Sequence, residues 1–217
     1  AIVVRGTGRV PVADLEGLRA LAQEIAAAVE EDMAAVSLRL AGTAGYMDLG
    51  LMYGDVPIRY FQQGEWPEST NLSGVEMVER YQKRNRACYR CPIACGRETR
   101  ALSYGAETVD GPEYETVTAL GTLIMVSDLE AVIYAGHLCN QLGLDTISTG
   151  AVIALACELF ERGLMTTADT DGLEIRYGDA AMAHRLIGMM ARREGIGELL
   201  AQGSQSVAEH YGAPDLA

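Results

Sequence analysis

Three of the five cysteines lie within the run Cys88-Tyr89-Arg90-Cys91-Pro92-Ile93-Ala94-Cys95, and this run constrains the chain more than any other feature. It interrupts helical patterning on both sides. Spacings of three and then four would also stack the cysteines on one face of a helix, where small apolar side chains fill a core. Pro92 argues against that, because it removes a backbone donor and clashes with the preceding turn unless it opens a new helix. A C-x2-C-x3-C loop instead lets soft sulfur donors converge on one centre, the chemistry of an iron–sulfur cluster or of zinc. No histidine lies near and no second CxxC follows, which favours iron–sulfur over zinc. The set is still one thiolate short. Cys139 and Cys157 can supply it, but both sit in amphipathic helical patterns where a buried free cysteine is ordinary. A ligand from outside the chain is an equal alternative.

The surroundings of the run are basic in an acidic chain. Lys83, Arg84, Arg86, Arg90, Arg97 and Arg100 are six of seventeen Lys and Arg, against a net charge of -13. Guanidinium groups offset the negative charge of a thiolate cluster and donate hydrogen bonds to it, so the later arginines are expected as neighbours of a cluster or cofactor. Lys83 and Arg84 are expected at the surface, complementing a helix C-terminus. The overall negative charge argues against a nucleic-acid partner. No apolar stretch reaches the roughly eighteen residues of a membrane span, so no membrane partner is expected. An odd cysteine count suits a reducing compartment, and the expected location is cytoplasmic. The chain opens Ala1-Ile2-Val3-Val4 with neither an initiating methionine nor a leader, which suggests an excised piece.

Along the chain, Ala1 to Arg5 reads as a short strand. Gly6-Thr7-Gly8 is no dinucleotide fingerprint, because Pro11 holds the third glycine position and no helix starts there. Asp14 caps a helix to about Val29, whose stripe of Leu15, Leu18, Ala22, Ile25, Ala26 and Val29 is expected to be core. Gly42-Thr43-Ala44-Gly45, Gly50, Gly54 and Pro57 mark a loop-rich stretch, suited either to close backbone approach or to ordinary turns. A capping box at Ser73 and Glu76 predicts a helix over 74–86, and a second at Ser127 and Glu130 predicts one ending at Leu142 before Gly143. Thr149 to Gly163 is nearly all apolar and should be a buried central helix. A short extended piece is expected over 173–177, then a helix capped by Asp179 and a last one ending near Tyr211. His137 reads as a partly buried structural histidine.

Three motifs then stand in order: the cysteine run, Gly111-Pro112-Glu113-Tyr114-Glu115-Thr116, and Asn140-Gln141-Leu142-Gly143-Leu144-Asp145-Thr146-Ile147-Ser148-Thr149-Gly150. Together they resemble the tungsten-dependent aldehyde:ferredoxin oxidoreductase family. Val4-Arg5-Gly6-Thr7-Gly8 and Tyr60-Phe61-Gln62-Gln63-Gly64 are similar to family segments as well. The resemblance implies a mainly α, multi-helical domain of the aldehyde ferredoxin oxidoreductase type, with at most a short β segment at the N-terminus. Residues 1–217 would be one helical region, a middle portion of a longer enzyme, with a cysteine-bearing loop at 87–111 between two helical halves.

The same resemblance implies oxidation of aldehydes to carboxylic acids, with a tungsten- or molybdenum-bispterin cofactor, a 4Fe-4S cluster and ferredoxin as electron acceptor. Cys88, Cys91 and Cys95 would be cluster ligands. Glu113 would be the catalytic carboxylate, acting as general base toward water or an aldehyde hydrate, with Glu115 pointing elsewhere. Asn140, Gly143, Leu144, Asp145 and Thr146 would face the pterins. Asn140 stands where the family pattern has an aspartate, and its amide oxygen can still accept a hydrogen bond. The fourth cluster cysteine, a second pterin motif and a further histidine would lie in an absent C-terminal portion, leaving this piece alone inactive. Partners would be ferredoxin and a small aldehyde, with a homo-oligomer left open. A non-enzymatic iron–sulfur electron carrier, or a zinc-stabilised interaction module, remains the alternative.

Overall fold

The computed structural model describes residues 2–217. Helices dominate. Asp14 Oδ1 accepts from the Gly17 N–H at 2.8 Å and starts α1 (Leu15–Glu31) as the sequence predicts. Asp32 does the same for α2 (Met33–Ala41), bonding the Ala35 N–H at 2.8 Å. A tight turn at Thr43–Gly45 leads into α3 (Tyr46–Tyr53), which Gly54 ends with φ +74. Beyond it, Arg59, Tyr60 and Phe61 all have positive φ, and the Arg59 and Tyr60 N–H groups bond the carbonyls of Thr122 and Leu123.

The region around the cysteines departs from expectation. Ser73 Oγ accepts from the Val75 N–H as a cap, but α4 spans only Gly74–Glu76 and passes through a widened turn at Met77–Tyr81. The chain then becomes strand β1 (Gln82–Arg86), which pairs antiparallel with β2 (Gly96–Ala101), itself paired antiparallel with β3 (Ala106–Asp110). So the 74–86 helix is short, and the 87–111 loop shrinks to the residues between β1 and β2. The strand is paired along β2, and cross-strand ion pairs accompany it: Arg84 lies 2.8 Å from Glu98 and Arg86 2.6 Å from Asp110. A capping signal reports only where a helix starts, and pairing with a distant strand decides how far it runs. The sheet is therefore central in the chain. Residues 2–5 form no strand and are exposed, and Ala1 lies outside the described residues.

The second half is a packed helical unit of α5 (Tyr114–Leu120), α6 (Leu129–Leu142), α7 (Thr146–Glu161), α8 (Ala180–Arg192), α9 (Gly197–Leu200) and α10 (Ser204–His210). Asp128, rather than Ser127, caps α6, accepting from the Glu130 and Ala131 N–H groups. Glu130 is turned instead to Ser103, whose N–H and Oγ it binds at 2.8 and 2.9 Å, tying the turn between β2 and β3 to α6. The expected central helix is present as α7, with Ile153, Leu155 and Leu159 fully buried. Residues 173–176 are irregular rather than extended strand. One core runs from Met47 and Leu72 through Val117, Ile133 and Ile153 to Leu186 and Val207.

The α1 stripe is not core. No residue of α1 is buried, and Leu15, Leu18 and Ile25 are each about half exposed, at 47%, 51% and 51%. Periodicity identifies an apolar face; it does not show whether anything covers it. Among the described residues, no single helix is long and apolar enough to cross a membrane.

Candidate active site and cysteine loop

The strand ends, the start of α5 and the C-terminal half of α6 enclose a polar cleft of about 240 Å³. Its walls include Arg86, Arg97, Asp110, Glu113, Thr116, Asn140 and Thr146. Glu113 and two of the expected cofactor residues therefore share one cavity. Thr146 Oγ1 and Thr116 Oγ1 are hydrogen-bonded at 2.7 Å. Gly143, Leu144 and Asp145 form the adjoining α6–α7 turn, outside that wall. Gly143, at φ +74, closes α6 with its N–H on the Cys139 carbonyl. Leu144 packs against the core, and its N–H bonds the same carbonyl at 2.9 Å. Asp145 is exposed and caps α7 through the Ser148 N–H at 2.7 Å, a bond that lowers its carboxyl below the usual range.

Glu113 stands at the N-cap of α5 with its carboxylate held from two sides. Thr43 Oγ1 donates to its Oε2 at 2.5 Å, and Arg97 Nη2 lies 3.8 Å from Oε1. Arg97 is almost wholly buried, at 2% exposure. Its Nη1 donates to the carbonyls of Ala41 and Cys95, at 2.9 and 3.2 Å, and its Nη2 to that of Pro112 at 2.6 Å. Nε has no partner, and burial lowers the guanidinium below its ordinary pKa, with Glu113 acting against that shift. A buried charge is tolerated when carbonyls and an acid surround it. One side chain thus joins the end of α2, the cysteine loop and the first residues before α5.

The cysteine loop itself lies outside the core. Cys88 is exposed, Cys91 and Cys95 are half-buried, and all three are free thiols. The Cys91 N–H bonds the Cys88 carbonyl at 3.0 Å, and Arg90 and Ala94 have left-handed φ of 58 each. Arg39 from α2 donates to the carbonyls of Pro92 and Ile93, and Asn85 to that of Ala94. Among the described residues, no three His, Cys, Asp or Glu side chains converge closely enough to hold a metal ion. The donor chemistry nevertheless fits a thiolate-held centre: three accessible sulfurs on one loop, its backbone anchored by Arg39, Asn85 and Arg97. Cys139 and Cys157 are different. Both are core residues, and burial pushes the Cys139 thiol up to about 11 and raises that of Cys157 as well.

Residues 20–217 match the family model described as aldehyde ferredoxin oxidoreductase, domains 2 and 3. The chain belongs to the aldehyde ferredoxin oxidoreductase family. It is 41% identical to the tungsten-containing aldehyde ferredoxin oxidoreductase of Pyrococcus furiosus, over 100% of this chain and 36% of that protein. The corresponding protein of Thermococcus kodakarensis is 38% identical over 99% of the chain and 36% of its own length. An aliphatic sulfonate oxidoreductase WOR-like subunit of P. furiosus is 32% identical over 96% of the chain and 33% of that subunit. The chain thus spans about a third of the length of these curated relatives. In fold it is similar to the active-site complex BamBC of benzoyl coenzyme A reductase, with a TM-score of 0.69 over 92% of this chain and 31% of that one, at 22% identity.

Thr43, which bonds Glu113, and Gly42, which abuts Arg97, are contacts of the candidate site that sequence reasoning left as loop. Their signal was Gly42 beside Thr43, a glycine whose purpose depends on Arg97, more than fifty positions away. Arg97, expected as a cluster or cofactor neighbour, lies between the cysteine loop and Glu113.

Proposed function

We propose that this chain is the middle, mainly helical portion of an enzyme that oxidises aldehydes to carboxylic acids with water. In this reading Cys88, Cys91 and Cys95 hold a 4Fe-4S cluster with a fourth ligand from outside the chain. Asn140, Thr146 and the turn of Gly143, Leu144 and Asp145 bind a tungsten- or molybdenum-bispterin, shared with other domains. The observation that carries the reading is the single cleft holding Glu113, Asn140 and Thr146, linked to the cysteine loop through Arg97.

The bound metal and cluster supply the oxidation and the passage of electrons to ferredoxin. What the chain supplies is positioning. Asn140 and the hydroxyls of Thr116 and Thr146 offer hydrogen bonds along one wall of the cleft. Glu113 Oε1, which has no donor within hydrogen-bond reach among the described residues, accepts a proton from water or an aldehyde hydrate. Arg86 and Asp110, which also line the cleft, neutralise each other at 2.6 Å. The electron-carrier alternative takes its fourth thiolate from Cys139 or Cys157. Their burial in the core disfavours it, because the thiolate is the ligand form and burial opposes it.

Anaerobic metal and sulfide analysis of the full-length protein, with electron paramagnetic resonance after dithionite reduction, tests the reading. Iron and sulfide near four per chain together with tungsten or molybdenum are expected from the cofactor set proposed. Zinc alone, or a cluster without a pterin-bound metal, would leave the interaction module or the carrier.

A further inference from the structure

Thr43 Oγ1 lies between two partners: it accepts from the Tyr114 N–H at 2.8 Å and donates to Glu113 Oε2 at 2.5 Å. A hydroxyl has one proton to give. With the Tyr114 N–H on one lone pair, the hydroxyl is left to engage Oε2 with its own proton. Oε1 is left as the oxygen with free lone pairs, since Arg97 Nη2 is 3.8 Å away, beyond hydrogen-bond distance. The other charged groups facing the cleft, Arg86 and Asp110, are committed to each other.

Both ends of the pair rest on one support. Arg97 Nη1 holds the Ala41 carbonyl, two residues before Thr43, and Nη2 holds the Pro112 carbonyl, directly before Glu113. The threonine and the glutamate therefore keep their separation without relying on their own bond. Such preorganisation is what a proton-accepting carboxylate needs, because misplacement by about 1 Å can cost a hundredfold in rate.

We propose that Thr43 is a positioning residue for Glu113, engaging Oε2 so that Oε1 is the oxygen that takes the proton. The proposal rests on the reading of Glu113 as the catalytic carboxylate and adds which atom acts and what aims it.

The test uses the full-length protein and isotope-edited infrared spectra of its glutamate carboxylates. The Glu113 band is assigned as the one lost in Glu113→Gln. Thr43→Val, which keeps the shape and removes the donor, is expected to shift that band, and Thr43→Ser to restore it. In turnover with an aldehyde, Thr43→Val should lower kcat about tenfold with KM little changed, the scale of one lost charge-assisted hydrogen bond. It should cost nothing further when Glu113 is already glutamine. If valine prevents folding, Thr43→Ala repeats both measurements. A band that stays in place in the donor-less variant, while Glu113→Gln sharply lowers turnover, would overturn the role of Thr43 and leave Glu113 standing. Full turnover by Glu113→Gln would remove the catalytic reading, and with it this one, even if the band moves.

Discussion

Gly42 has no side chain because the Arg97 guanidinium occupies the space one would need: a Cβ on Gly42 would lie 1.2 Å from Arg97 Nη1. The same glycine has φ +59 and ψ -160, a region essentially reserved for glycine that costs other residues roughly 1–3 kcal/mol. Arg97 cannot swing aside, since its nitrogens are committed to carbonyls on three segments. Gly42→Ala should therefore destabilise the protein by about 2–6 kcal/mol, the sum of backbone strain and overpacking. Urea unfolding checks it; a midpoint equal to wild type would mean that the guanidinium has another place to go.

This relationship marks the limit of what the sequence made legible. Local signals read well. Asp14 and Asp179 cap the helices they were expected to cap, and the apolar run of α7 is the buried centre. The three motifs also carried the family, and two of them meet in one cleft. Interactions between distant segments were not legible. Residues 82–86 carry helix-compatible polar residues yet form a strand paired with β2, where Glu98 stands opposite Arg84. Thr43 looked like one more loop residue until the fold set it against Glu113. The stripe on α1 was a true amphipathic pattern whose covering surface the pattern could not name.

Gly150 is another position where a side chain is forbidden. A Cβ there would lie 2.4 Å from the Ala119 carbonyl oxygen, where α7 crosses α5. Alanine is favoured over glycine inside a helix by about 1 kcal/mol. The clash is with backbone, which has no rotamer to change, and overpacking of this kind costs about 1–3 kcal/mol. Gly150→Ala is thus expected to lower the denaturation midpoint despite the better helix former. An increase would show that α5 and α7 can separate at no cost.

His184 gives the fold a dependence on pH. Its ring packs against Tyr104 and Tyr134, with centroids at 5.2 and 5.1 Å, and its Nε2 lies 2.9 Å from the Ala131 carbonyl. Burial lowers its pKa below the ordinary histidine value, outweighing the opposing effects of that carbonyl and Asp128. The unfolded chain therefore binds the proton first. Stability is fully present above about 6.5 and is lost as pH falls from there through the lower folded value. Unfolding free energies measured between about pH 5 and 8 should fall on acidification, and His184→Gln should flatten that part of the curve. An unchanged slope in the variant would assign the dependence to other groups.

The two classes of cysteine should separate cleanly in a substitution series on the full-length protein. Cys88, Cys91 and Cys95 sit on an accessible loop anchored through its carbonyls, so replacing any one by serine removes a sulfur donor without opening the core. Each is expected to lose most of its iron and acid-labile sulfide while keeping the helical circular dichroism of the parent. Cys139 and Cys157 are fully buried, at 0% and 1% exposure, and act as small apolar side chains. Serine there buries a hydroxyl at a cost of roughly 1–3 kcal/mol in unfolding free energy, with iron content unchanged in the folded fraction. Iron analysis beside urea unfolding reads both effects in one set of samples. Loss of iron from a folded Cys139→Ser or Cys157→Ser protein would turn the argument toward a cluster closed within this chain, and so toward the electron carrier.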